Sequence, residues 1–170
     1  MRVGQVMPAL RLPSTTGEPL AVNAAPGGSR RLVLFVYPRI GRPDRPPLSS
    51  DWATIPGAAG CTAETCSFRD LTEDIRRADA EIIGVSTQDE ADQAEAADRL
   101  RLRFALVSDA GLALARALEL ATFEVAGAVL LRRCTLVVEA GRIVQIFDPI
   151  TDPGGHPQQV YDWLTRDDRS

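Results

Sequence analysis

Six consecutive apolar residues, Leu32-Val33-Leu34-Phe35-Val36-Tyr37, run straight into Pro38. A run of that length without polar alternation suits a strand buried on both faces, and the proline stops it because proline has no N–H to donate. Two shorter runs repeat the theme, Glu81-Ile82-Ile83-Gly84-Val85-Ser86 and Phe104-Ala105-Leu106-Val107. Helical stretches separate them. After Gly60, the residues Phe68, Leu71, Ile75 and Ala78 recur every three or four positions as one apolar stripe, closed by Arg76 and Arg77. Gln88 to Leu100 is polar and alanine-rich, the pattern of a surface helix. Ser108 and Asp109 are good caps for a helix over Ala110 to Glu119. Strands that alternate with helices call for a layered α/β fold with parallel neighbours.

The remainder adds antiparallel edges. Leu120 to Gly127 reads as irregular, then Val129–Val138 and Arg142–Phe147 read as two strands joined by a tight turn at Glu139-Ala140-Gly141. Gly154-Gly155-His156-Pro157 opens a last helix carrying Val160, Trp163 and Leu164, with His156 expected at the surface or as a cap. Residues 1–20 form an extended lead-in. The expected architecture is a central mixed sheet flanked by helices, one domain over 1–170. One segment resists this scheme: residues 39–60 make a loop longer than the roughly 12–15 residues usual inside compact domains. It is rich in proline and glycine and holds Arg39, Arg42 and Arg45. Trp52 within it has two readings, a lid over the helix start that follows or a side chain pinned to the core.

Charge narrows the partners. The net charge of −4 gives no reason to expect nucleic acid or an anionic membrane, and every Lys/Arg position is arginine. No stretch is long and apolar enough to span a bilayer, and Met1–Leu20 lacks the apolar run of a secretory signal. Three cysteines fit thiols in a reducing compartment better than a disulfide framework, so a cytoplasmic location is expected.

Two of those cysteines, Cys61 and Cys66, lie where the long loop becomes a helix. At a helix start the backbone N–H groups point outward unpaired and favour negative charge. A cysteine there is expected to be partly accessible and to have a lowered pKa. In an intact helix the Cα atoms of the pair stand about 8–9 Å apart. A disulfide between them requires unwinding, because bridged Cα atoms sit within roughly 7 Å. The competing reading makes both of them small core hydrophobes.

These segments together resemble the peroxiredoxins of the Q, or bacterioferritin-comigratory, type. Gly60-Cys61-Thr62-Ala63-Glu64-Thr65-Cys66-Ser67-Phe68-Arg69-Asp70 is close to the family's Gly-Cys-Thr-x-Glu-x-Cys-x-Phe-Arg-Asp. Phe35-Val36-Tyr37-Pro38, Gly84-Val85-Ser86-Thr87-Gln88-Asp89, Phe104-Ala105-Leu106-Val107-Ser108-Asp109 and Arg133-Cys134-Thr135-Leu136-Val137-Val138 match further family segments in order. The resemblance implies a thioredoxin-like fold and reduction of hydrogen peroxide or organic hydroperoxides. Cys61 would be the peroxidatic cysteine, Cys66 the resolving one, and Arg133 the cation that holds the thiolate. Glu64 would pair with Arg133; strand alternation, apart from the resemblance, turns Cys134 to the face opposite Arg133 and makes it a core thiol. It further implies no metal or organic cofactor, recycling by thioredoxin or a similar dithiol protein, and a monomer or weak homodimer.

One departure stands in the motif. The family carries Pro-x-x-x-Thr-x-x-Cys, and counting back from Cys61 places Ala58 at the threonine and Thr54 at the proline. Thr54 or another donor must then serve the sulfur. The alternative is a redox-sensing or partner-binding module with impaired peroxidase activity.

Overall fold

The structure, a computed structural model, describes residues 1–167. A short hairpin of β1 (Arg11–Leu12) and β2 (Leu20–Ala21) precedes β3 (Arg31–Val36), the predicted buried strand. The cysteine segment forms α1 (Cys61–Asp70) and α2 (Thr72–Arg77), followed by β4 (Ala80–Ser86), α3 (Glu90–Arg99), β5 (Ala105–Ser108) and α4 (Ala113–Leu118). Two hairpins come next, β6 (Thr122–Val125) with β7 (Ala128–Leu131) and β8 (Cys134–Glu139) with β9 (Arg142–Phe147), and α5 (His156–Asp167) ends the described chain.

Five strands make the central sheet in the order β5-β4-β3-β8-β9. β3 pairs in parallel with β4 and antiparallel with β8, so the sheet is mixed, as the sequence pattern predicts. Every residue of β3 is buried because both faces are covered. Leu32, Leu34 and Val36 pack on one face with Val85, Leu114, Leu118 and Leu136. Val33, Phe35 and Tyr37 pack on the other with Cys61, Phe68, Ile75, Val160 and Leu164. The second face seats the cysteine helix. Phe68 of α1 stacks on Phe35 at 4.6 Å between ring centres. Room for Phe35 exists because residue 84 has no side chain; a Cβ there would lie 2.7 Å from the Phe35 ring.

Several expectations need correction. The single helix expected after Gly60 is broken at Leu71 (φ −94°, ψ 3°). Thr72 lies one residue on, and its hydroxyl donates to the Phe68 carbonyl at 3.0 Å, which competes with the helix ladder and bends the axis. The segment expected to be irregular after Leu120 contains β6, closed by a turn at Ala126-Gly127 (φ 50° and 81°). That turn repeats the positive-φ pair at Ala140-Gly141 (φ 49° and 73°) in the predicted hairpin. The strand expected over Val129–Val138 is two strands, and Arg132 and Arg133 form the link between them. His156 is no surface residue: it is fully buried, its Nε2 lies 2.8 Å from Thr135 Oγ1, and its ring packs edge-on to Phe147. Among the described residues no helix is long and apolar enough to cross a membrane.

Candidate active site

Cys61 is the first residue of α1, and the chain reaches it through Gly60 at φ 101°. That left-handed turn suits glycine, and a Cβ there would also strike Pro153 at 2.8 Å. The turn brings Cys61 inward, where it is only 3% exposed. Opposite stands Arg133, whose backbone has left β7 and not yet entered β8. Two fused hairpins thus aim one guanidinium across the sheet at the helix start. Its Nη2 donates to Cys61 Sγ at 3.1 Å and to the Ala59 carbonyl at 3.0 Å, while its Nη1 donates to Glu64. Arg133 is 4% exposed and Glu64 fully buried. The structure therefore gathers Cys61, Arg133 and Glu64 in one buried cluster. Beside it lies a hollow of about 470 Å³, walled by Arg133, Arg132, Phe123, Ile150 and Pro56.

Other sequence-derived candidates lie apart. Thr54 does not reach the sulfur: its side chain is exposed and its hydroxyl donates to the Asp51 carbonyl at 2.8 Å. Cys66, half-buried, lies five positions along the same intact helix, so it does not bridge Cys61, and all three thiols are free. Cys134 packs on the opposite face of the sheet, and burial pushes its thiol up to about 12. Trp52 is half-buried and helps wall a separate cleft with Arg39, Arg42, Arg45 and Thr62. Sequence reasoning passed over one contribution, that of the Arg39 backbone amide, which acts to lower the Cys61 pKa. A backbone amide leaves no mark in composition or motif.

The electrostatics depart from the expected helix-start thiolate. Burial pushes the Cys61 thiol up; Arg133 and the Arg39 amide pull it back, and Glu64 adds to the rise. In this state the thiol donates to the Ala58 carbonyl at 3.6 Å, a partner that favours the neutral form. Glu64 is raised by burial to about 7 despite Arg133, and its Oε1 has no hydrogen-bond partner. A carboxyl raised in the folded state adds stability that is full below its unfolded pKa and is lost as pH climbs to about 7. The loss is on the order of 3 kcal/mol. His156, held neutral by burial with its pKa lowered to about 4, runs the other way and loses stability in acid. The measurement is therefore a difference. Glu64→Gln is expected to gain stability relative to the parent between pH 5 and pH 8 in urea melts, and parallel curves would refute the assignment.

The sequence model of the family described as Redoxin matches residues 2–162. The chain belongs to the redoxin family. Among its curated redoxin relatives, chloroplastic peroxiredoxin Q of Triticum aestivum is 33% identical over 108 residues, which are 64% of this chain and 42% of that protein. Peroxiredoxin Bcp of Escherichia coli K12 is 26% identical over 109 residues, 64% of this chain and 58% of the other. The aligned stretch thus spans about half the length of these relatives. The crystal structure of peroxidoxin BcpB from Mycobacterium tuberculosis superposes with a TM-score of 0.78 at 24% identity, covering 98% of this chain and 97% of that one. The bacterioferritin comigratory protein of Xanthomonas campestris gives 0.75 at 23% identity, covering 98% and 99%. The redoxin's mixed sheet with flanking helices is the thioredoxin-like fold of the peroxiredoxins.

Proposed function

We propose that this chain is a thiol peroxidase that reduces hydrogen peroxide or organic hydroperoxides through Cys61. The observation that carries the reading is the 3.1 Å contact from Arg133 Nη2 to Cys61 Sγ. A guanidinium that already bonds sulfur, carboxyl and carbonyl can hold a thiolate and draw charge from a peroxide oxygen at one point. The thiolate attacks the terminal peroxide oxygen, the O–O bond breaks, and the alcohol or water leaves with a proton while sulfur becomes sulfenic acid. Cys66 then attacks that sulfur, expelling water and forming the internal disulfide. Thioredoxin or a similar dithiol protein reduces it by exchange. Likeness to peroxiredoxins Q and Bcp supports the reading. The test is to add peroxide to the reduced protein and map products by mass spectrometry. A Cys61–Cys66 disulfide is expected, absent in Cys66→Ser; oxidation confined to other residues would end the proposal.

The raised Cys61 thiol carries a kinetic consequence. Only the thiolate attacks, so the second-order rate is expected to rise about tenfold per pH unit through neutrality. A rate already level from about pH 6 upward would mean that burial does not govern this sulfur.

A second reading rests on the same burial together with Ala58, which offers no hydroxyl to the sulfur. The chain would then sense oxidants or bind a partner and turn over little peroxide. Rapid alkylation of Cys61 with a vanishing peroxide rate selects it.

A further inference from the structure

The first half of the long loop lies against helix α3 and encloses a cleft of about 260 Å³. Its base is fixed at two points. Gln88 pairs with both backbone groups of Ile40, at 2.9 and 3.0 Å, and Arg99 Nη2 donates to the Gly41 carbonyl at 2.8 Å. Four of the lining residues are arginines: Arg39, Arg42, Arg45 and Arg99. Most of the rest is apolar, with Leu48 and Trp52, both half-buried, beside Pro43, Pro46 and Pro47.

Three of the four guanidiniums crowd on one carboxylate. Asp92 accepts from Arg42 Nη1 at 3.4 Å and from Arg45 Nη1 at 3.3 Å, and Arg39 Nη2 stands 3.9 Å away. Arg42 also grips Asp44 at 2.8 and 2.9 Å, and Arg99 grips Glu95 at 2.6 Å. Four arginines against three carboxylates leave one positive charge over, in a chain whose net charge is −4. Arg39 is the least satisfied of them. Its side chain is 23% exposed, and among the described residues its guanidinium makes no hydrogen bond. A guanidinium carries five N–H donors, and holding them largely buried without an acceptor is costly.

We propose that this cleft binds a small amphipathic monoanion, a carboxylate with a compact apolar body. The carboxylate accepts from Arg39 and from Arg45, whose single hydrogen bond to Asp92 leaves its other N–H groups available. The planar fork of a guanidinium matches a carboxylate with two parallel bonds. The body lies against Leu48, Trp52 and the prolines, where a fully hydrated ion such as sulfate gains nothing. One surplus charge selects a single negative charge. The volume, below the roughly 300–1,000 Å³ of drug-sized pockets, selects a small body. Thr62, the residue after Cys61, also lines the cleft. A ligand seated there rests on the first turn of α1, which must unwind before Cys66 reaches Cys61. This link to Cys61 rests on the peroxidase reading; the site does not.

The test titrates phenylacetate into the reduced full chain carrying Trp163→Phe, which leaves Trp52 as its single indole. Trp52 fluorescence is followed into the millimolar range at constant ionic strength. A saturable change is expected. Sulfate has only charge and benzyl alcohol only the apolar body, and neither is expected to give one. Arg39→Gln and Arg45→Gln are each expected to weaken phenylacetate binding about tenfold. Arg45 is 56% exposed, so its variant decides the matter if Arg39→Gln fails to fold. No saturable change with phenylacetate, undiminished binding in the folded variants, or an equal response to sulfate overturns the proposal. With phenylacetate bound, closure of the Cys61–Cys66 disulfide by peroxide is expected to slow several-fold. Unchanged closure with binding intact overturns the link to α1 and not the site. Failure of the peroxidase reading shows separately, as absent peroxide consumption with phenylacetate binding unaltered.

Discussion

Arg133→Met is expected to slow peroxide reduction about 100-fold, and to do so by more than loosening the fold. The guanidinium bonds Cys61 Sγ, the Ala59 carbonyl and Glu64 at once, and methionine replaces none of these. A hydrogen bond to a charged partner contributes roughly 1.5–3 kcal/mol, which by itself gives one to two decades in thiolate population. Removing Arg133 also leaves Glu64 fully buried without its cation, and breaking a buried pair commonly costs about 3–5 kcal/mol. Here the carboxyl has an escape, because burial already raises it to about 7 with Arg133 present. The variant is therefore expected to be near parental stability at pH 5 and much weaker at pH 8. The double variant Arg133→Met with Glu64→Gln removes the orphaned charge and is expected to recover stability at pH 8 without recovering the peroxide rate. Stopped-flow rates and urea melts on the same preparations separate the two effects. If the double variant regains the rate as well, Arg133 serves only to hold Glu64. Arg133→Lys is expected to fall between, because one ammonium cannot span three acceptors in the fork geometry of a guanidinium.

How far the residues foretold this site depends on the range of the interactions involved. β3, β4 and β5 were readable because strands covered on both faces write uninterrupted apolar runs, and Ser108-Asp109 announced a helix start. Asp109 accepts from the Leu114 and Ala115 N–H groups at 3.0 and 2.9 Å. The helix it caps begins at Ala113, three residues later than the polar pattern indicates. What stayed hidden is tertiary. Two adjacent arginines inside an apolar stretch were the available sign that β7 and β8 are separate strands, and the Ala-Gly pair at 126-127 was the sign of β6. His156 gave no such sign, since its burial depends on Thr135, Phe68 and Phe147 from three distant segments. The depressed thiol expected at a helix start failed because a helix terminus favours charge only where solvent or cations finish the work. Here Cys61 is only 3% exposed, and its burial outweighs the pull of the Arg133 guanidinium.

Treating the reduced protein with one equivalent of peroxide is expected to melt α1 while the rest of the sheet holds. The ten residues of α1 form an unbroken helix with both thiols on it, and helix geometry sets their Cα atoms about 8–9 Å apart. Closing the disulfide needs roughly 7 Å or less, so at least the turn between them must unwind. The segment is built to release at that end. Gly60 offers no side-chain cap, Thr65 Oγ1 is buried with no partner, and Glu64 Oε1 is likewise unpaired. Against release stand the Glu64–Arg133 pair and the stack of Phe68 on Phe35, and burying a phenylalanine contributes about 1.5–3 kcal/mol. Converting the Cys61 thiol to sulfenic acid adds an oxygen to a pocket that exposes 3% of the residue, which weakens the packed arrangement at the point where it must open. Amide exchange across Cys61–Asp70 is expected to quicken by orders of magnitude in the disulfide form, with β3 and β4 still protected. In Cys66→Ser the helix should stay protected and excess peroxide should carry Cys61 on to sulfinic acid. An internal Cys61–Cys66 bond formed with α1 amides still slow to exchange would contradict the unwinding that the geometry requires, whereas oxidation of Cys61 that leaves Cys66 a free thiol would end the resolving role of Cys66.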